Sequence, residues 1–124
     1  MFSFVEYYKG VTIMPDKLIM QIVAAESTPE KEAEFNRWYT DEHVPMLLGF
    51  KGLKQASRYR RIGDDAQSAK FLTIYEFESK EAMDAFPKSP AFAAAIKDYE
   101  NKKEEVGFNL KWAASYELIK SWKR

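Results

Sequence analysis

The chain has no cysteine and a single histidine among its 124 residues. The absence of cysteine excludes a disulfide, a thiolate nucleophile and any cysteine-based metal site. One histidine would leave a metal centre to be built mostly from carboxylates, so none is expected. The five glycines stand apart, at 10, 49, 52, 63 and 107, and form no phosphate-cradling loop. Excess charge is lacking too, since nineteen basic and nineteen acidic residues cancel. Without a basic face, neither nucleic acid nor an anionic membrane is an expected partner. Weak self-repulsion favours association of like copies instead. No apolar run is long enough to span a bilayer, and the opening "MFSFVEYYKGVTIMP" is interrupted by Glu6 and Lys9 where a signal peptide would stay apolar. A soluble cytoplasmic protein without a cofactor is the expectation.

Aromatic residues, at 15%, are what the chain has in quantity. Its length predicts one domain, 1–124, with one core. An N-terminal arm, 1–16, precedes the element pattern of 17–119, and its run "FSFVEYY" reads as a fifth strand, with a short helix as the alternative. "KLIMQIVAAE" (17–26) reads as a buried strand that closes at Ser27-Thr28-Pro29. Ser27 or Thr28 is placed to cap a helix, with Ser27 and Glu30 at capping-box spacing. That helix runs through "EKEAEFNRWYTDEH", where Phe35, Trp38 and Tyr39 form one apolar stripe. Pro45 disfavours helical geometry at Val44, so the helix is expected to end near His43, with a short turn or helix over "VPMLLGFKG".

Strands are predicted over 53–62 and 70–78, joined by the loop "GDDAQSA". Ser79 caps a helix that Pro87 breaks, and Ser89-Pro90 restarts it as cap and first residue. A last strand begins at Phe108 and alternates through Leu110, Trp112, Ala114, Tyr116 and Leu118. The order β-α-β-β-α-β is the split βαβ, or ferredoxin-like, α+β arrangement: a four-stranded antiparallel sheet with two helices on one face.

The uncovered face of such a sheet should read polar if it meets water. Here strand three offers Phe71, Tyr75 and Phe77 on one side but Leu72 and Ile74 on the other. The last strand adds Trp112, Tyr116 and Leu118 on one side. Two sheets packed face to face across a two-fold axis would cover these groups, giving a homodimer. The N-terminal arm folded over the same face is the alternative.

The stretch "FNRWYTDEHVPMLLGFKGLKQASRYR" resembles the dimeric α/β-barrel proteins, and most of all their EthD-like branch. The resemblance rests on Trp38, Tyr39, His43, Pro45, Gly49, Phe50, Arg58 and Tyr59. The order of elements carries it over about 17–119, and the specific motif over about 34–60. It implies a compact dimer with one cavity per subunit, between sheet and helices. The wider superfamily includes lactone isomerases, polyketide cyclases, small decarboxylases, quinol-forming or haem-degrading monooxygenases and proteins without known activity. The resemblance therefore implies no single reaction.

The candidate catalytic residues are His43, Tyr39 and Glu42. On a regular helix, at ~100° per residue, Glu42 falls about 20° from the centre of the apolar stripe and His43 about 80° from it, one turn below Tyr39. A carboxylate beside an imidazole makes a proton-transfer pair. Arg58 or Arg60 could hold a developing oxyanion; Trp38, Tyr75 and Trp112 would contact the substrate. This set suits an isomerase, cyclase or decarboxylase acting on a small hydrophobic, oxygen-bearing molecule. Two alternatives stand beside it. His43 could simply terminate a helix in a non-catalytic dimeric binding or stress-related module, or it could ligate haem in a monooxygenase.

Overall fold

The computed structural model describes residues 18–124. The N-terminal arm and its expected strand lie outside the described residues. Strands β1 (Ile19–Glu26), β2 (Leu53–Arg60), β3 (Phe71–Phe77) and β4 (Asn109–Glu117) form one sheet in the order β2-β3-β1-β4. All three pairings are antiparallel. This is the ferredoxin-like topology expected from the element order.

The alternation in β3 sets the two faces. Phe71, Thr73, Tyr75 and Phe77 are buried, while Leu72, Ile74 and Glu76 are half-buried. Register carries the same division into β1, where Ile19, Gln21, Val23 and Ala25 lie opposite the buried set. The described helices cover only that face. One core cluster joins Ile19, Tyr75 and Phe77 to Leu47, Phe86 and Ala95; a second joins Ala25 and Phe71 to Phe35, Trp38, Tyr39 and Val106. The opposite face carries Met20, Ile22, Leu72 and Ile74, with Tyr59, Trp112 and Tyr116 about half exposed.

Both helical segments are divided. The second breaks as Pro87 predicts: α3 (Lys80–Ala85), a 3-10 turn (Phe86–Lys88), then α4 (Pro90–Val106). Ser79 and Ser89 cap the two helices, their hydroxyls accepting from Ala82 N–H at 3.0 Å and Phe92 N–H at 3.1 Å.

The first segment corrects two expectations. Ser27 caps no helix start: α1 (Glu32–Trp38) begins at Lys31 without a side-chain cap. Its hydroxyl instead donates to the Val106 carbonyl at 2.6 Å, and Lys31 Nζ donates to the Glu104 carbonyl at 2.8 Å. The β1–α1 connection thus satisfies the orphan carbonyls at the end of α4. That end closes on Gly107, at φ 65°.

Nor does the helix stop at His43. It passes through a π-helical turn (Tyr39–His43) into α2 (Val44–Leu47), and Val44 is helical despite preceding Pro45. Pro45 explains the wide turn. Its ring would clash with the carbonyl four residues back in a regular α-helix, and it has no N–H to offer that carbonyl. Widening the turn before it relieves the clash, and at the first turn of α2 the missing donor is not needed.

Candidate functional site

The π-turn sets the geometry of the site through neighbours five residues apart. Val44 N–H bonds the Tyr39 carbonyl, Arg37 bonds Glu42, and the rings of Trp38 and His43 stack with centroids 4.7 Å apart. On a regular helix the closest neighbours would be three and four apart. The shift turns His43 inward beneath Trp38, with Tyr39 edge-on at 5.2 Å. The same shift turns Glu42 outward. Its carboxylate binds Arg37 Nη2 at 2.8 Å and Lys102 Nζ at 3.1 Å, and does not bond the imidazole. The expected Glu42–His43 pair therefore does not form.

His43 lines a cavity of about 340 Å³ between the helices and the sheet, walled by residues of both core clusters. Its walls are apolar: Val23, Leu47, Phe86, Phe92, Ile96, Phe108, Leu110 and Ala113. Five polar side chains interrupt them, namely Gln21, Tyr39, His43, Tyr75 and Tyr99, and among the described residues no acid, lysine or arginine lines it. Burial pushes the His43 imidazole down to about 4; the Asp98 carboxylate opposes this and the Arg58 guanidinium adds to it. His43 is therefore neutral near pH 7, and its Nδ1 is buried without a hydrogen-bond partner. Burial, with the Tyr39 hydroxyl next to it, holds the Tyr75 phenol well above its ordinary range.

Of the eight residues singled out from the sequence, Tyr39, His43 and Tyr75 meet in this cavity. Trp38 is fully buried behind His43, its indole N–H donating to Asp98 Oδ2 at 2.7 Å. Trp112 pairs with Ala24 and lies on the face of the sheet that no described helix covers. Neither arginine lines the cavity. Arg58 packs its guanidinium over the Tyr39 ring at 4.3 Å, and Arg60 lies over Phe71 at 5.7 Å.

Gln21 and Asp98 escaped sequence reasoning. A signal for Gln21 exists: it is the one polar residue on the inward side of the β1 alternation. Asp98 meets Trp38 across 60 residues of chain, and no local pattern marks it. Among the described residues, no group of three or more acidic, histidine or cysteine side chains could hold a metal ion. No described helix is long and apolar enough to cross a membrane.

Comparison with known proteins gives a family and a fold. A family model described as "Domain of unknown function (DUF4286)" matches residues 19–114. No curated protein matches the chain. Among solved structures, an ethyl tert-butyl ether D (EthD) family protein from Bacillus halodurans is 15% identical. It superposes with a TM-score of 0.58, covering 79% of this chain and 96% of its own. A dimeric ferredoxin-like protein of unknown function from Thermobifida fusca is 13% identical at a TM-score of 0.55, covering 86% and 94%. A hydroxynitrile lyase from Passiflora edulis is 10% identical at a TM-score of 0.65, covering 89% and 100%. The likeness bears out the dimeric α/β-barrel resemblance at the level of the subunit fold.

Proposed function

The chain belongs to the family described as a domain of unknown function (DUF4286), and we propose from its site that it binds a small, neutral, hydrophobic molecule bearing a hydroxyl or carbonyl oxygen, with His43 as the proton-accepting group. One observation carries this reading: the 340 Å³ cavity combines apolar walls with a neutral imidazole and tyrosine hydroxyls, and has no charged lining side chain. A carboxylate bound there would be left without a counter-charge in a poorly solvated space. A decarboxylase is thus the least suitable of the reaction types considered, and an isomerase or cyclase the most suitable. In such a step the imidazole takes a proton from the ligand's hydroxyl or from a carbon beside its carbonyl. The tyrosine hydroxyls would donate to the oxygen that gains charge. The hydroxynitrile lyase shares only the fold, but its name describes an enzyme for a small hydroxyl-bearing molecule on the same scaffold.

The uncovered face supports a homodimer as the working form. Met20, Ile22, Leu72, Ile74, Trp112 and Tyr116 form an apolar surface on the side that no described helix covers. The fold neighbour from Thermobifida fusca is itself dimeric.

Thermal shift with paired probes tests the ligand reading, using benzaldehyde against benzoate and a neutral lactone against its ring-opened acid. Wild type should be stabilised by the neutral member of each pair, and His43→Asn or Tyr75→Phe should lose that stabilisation. Stabilisation by a charged member that His43→Asn or Tyr75→Phe abolishes, or binding of the neutral members that is indifferent to both substitutions, would sink the proposal.

A further inference from the structure

We propose that the cleft between α1 and β2, walled by Asn36, Arg58, Arg60 and Phe71, is a second site that binds a small oxyanion, a carboxylate or a phosphate. The cleft has a volume of about 230 Å³ and shares no lining residue with the cavity around His43.

Charge balance carries the argument. Among the described residues, Arg37, Lys54, Lys70, Lys80, Lys102 and Lys103 each pair with a carboxylate. Arg58 and Arg60 have no carboxylate partner there; neither do Lys51, Lys88 and Lys97, but those are exposed, and Arg61 is bonded to the Gly63 and Ser68 carbonyls. Arg58 nevertheless sits half-buried, and its only hydrogen bonds go to neutral groups: Nη1 to Thr40 Oγ1 at 3.0 Å and Nε to Thr73 Oγ1 at 3.4 Å. Its Nη2 is buried with no partner among the described residues. A guanidinium withdrawn from water without a counter-charge is destabilising, and Arg60, two residues along the same side of β2, adds repulsion. Both guanidinium groups approach one ring, Phe71, at 5.6 and 5.7 Å.

An oxyanion between them reverses both unfavourable terms. Arg58 is already fixed for that task by the Tyr39 ring face and the two threonines, so little ordering remains to oppose binding. The guanidinium charge is delocalised, so the anion can neutralise it without reaching Nη2. Arg60, exposed, supplies the donor fork, and Asn36 adds an amide. Burial, with the Arg60 charge as a smaller contribution, lowers the Arg58 pKa, in keeping with a cation that lacks a partner.

Calorimetric titration tests this with inorganic phosphate, acetate and benzoate, each at constant ionic strength set by chloride. Wild type is expected to bind at least one with a Kd below about 5 mM. Arg60→Gln, at an exposed position that folding does not depend on, should weaken it about tenfold or more. Arg58→Gln removes the charge, and should weaken it several-fold. Phosphate alone binding would identify a phosphate-bearing ligand; both carboxylates binding, benzoate tighter, would identify an organic acid resting on Phe71. The proposal is overturned if no probe binds wild type with a Kd below about 5 mM, or if Arg60→Gln binds as wild type does.

Discussion

The neutral, buried imidazole makes the stability of this protein depend on pH in a way that one substitution should remove. The His43 pKa falls from 6.5 to about 4 in the folded chain. Between those values the unfolded chain binds a proton that the folded chain refuses, so stability is complete above pH 6.5 and falls as pH drops towards 4. At about 1.4 kcal/mol per tenfold change in proton affinity, the full effect is about 3 kcal/mol. Between pH 7.5 and 5.0 it is about 2 kcal/mol. Carboxylates complicate more acidic conditions, because Glu34 and Glu42 hold lowered pKa values through their bonds to Arg37. Their contribution is present above the ordinary carboxylate range and is lost below it, in wild type and variant alike. The informative quantity is therefore a difference. Urea unfolding of wild type and His43→Asn would be followed by tryptophan fluorescence at fixed protein concentration, at pH 7.5, 6.5, 5.5 and 5.0. Wild type should lose about 2 kcal/mol more than the variant across that range. Parallel losses would mean that the imidazole is solvated, and would remove the basis for a neutral base in the cavity.

Other consequences are simpler to read. Gly107→Ala forces a side chain onto φ 65° and places its Cβ 2.8 Å from Ser27 Oγ, which should cost about 1–2 kcal/mol in a denaturant titration. Trp38→Phe removes the donor held by Asp98 at 2.7 Å and should cost about 1–3 kcal/mol by the same assay. As the sole histidine, His43 gives one set of imidazole resonances for proton NMR. Its pKa should fall further in Asp98→Asn, because that carboxylate raises it, and should not move in Glu42→Gln. Ile74→Lys, on the uncovered face of the sheet, should halve the mass measured by light scattering without loss of helical circular dichroism.

The architecture was legible because it is written in local patterns. Alternation in "FLTIYEF" sorts Phe71, Thr73, Tyr75 and Phe77 from Leu72, Ile74 and Glu76, and the structure buries the first set. Ser79 and Ser89 cap the helices they precede because their partners lie three residues on. Ser27 carries the same local signature and does something else. Its hydroxyl finds the Val106 carbonyl, 79 residues away, and a long-range bond overrides a capping box that only sequence proximity had suggested.

The site was legible only where chain geometry stayed regular. Tyr39 and Tyr75 both line the cavity, and each lies within an ordinary stripe, on a helix face or a strand face. Glu42 was misplaced by the π-turn: a wheel drawn at ~100° per residue puts it inward and His43 at the border, whereas contacts five apart exchange the two. The cue was present in Pro45, read as a stop. A proline can end a helix or widen the turn before it, and the choice depends on what the next turn can bury. Here Leu47 joins the core with Phe77 and Phe86, so continuing the helix gains apolar burial that stopping at His43 would forgo. The same continuation carries the imidazole out of water and against Trp38. The unprotonated state of His43 is thus a consequence of how the chain accommodates one proline, three links removed from the residue type itself.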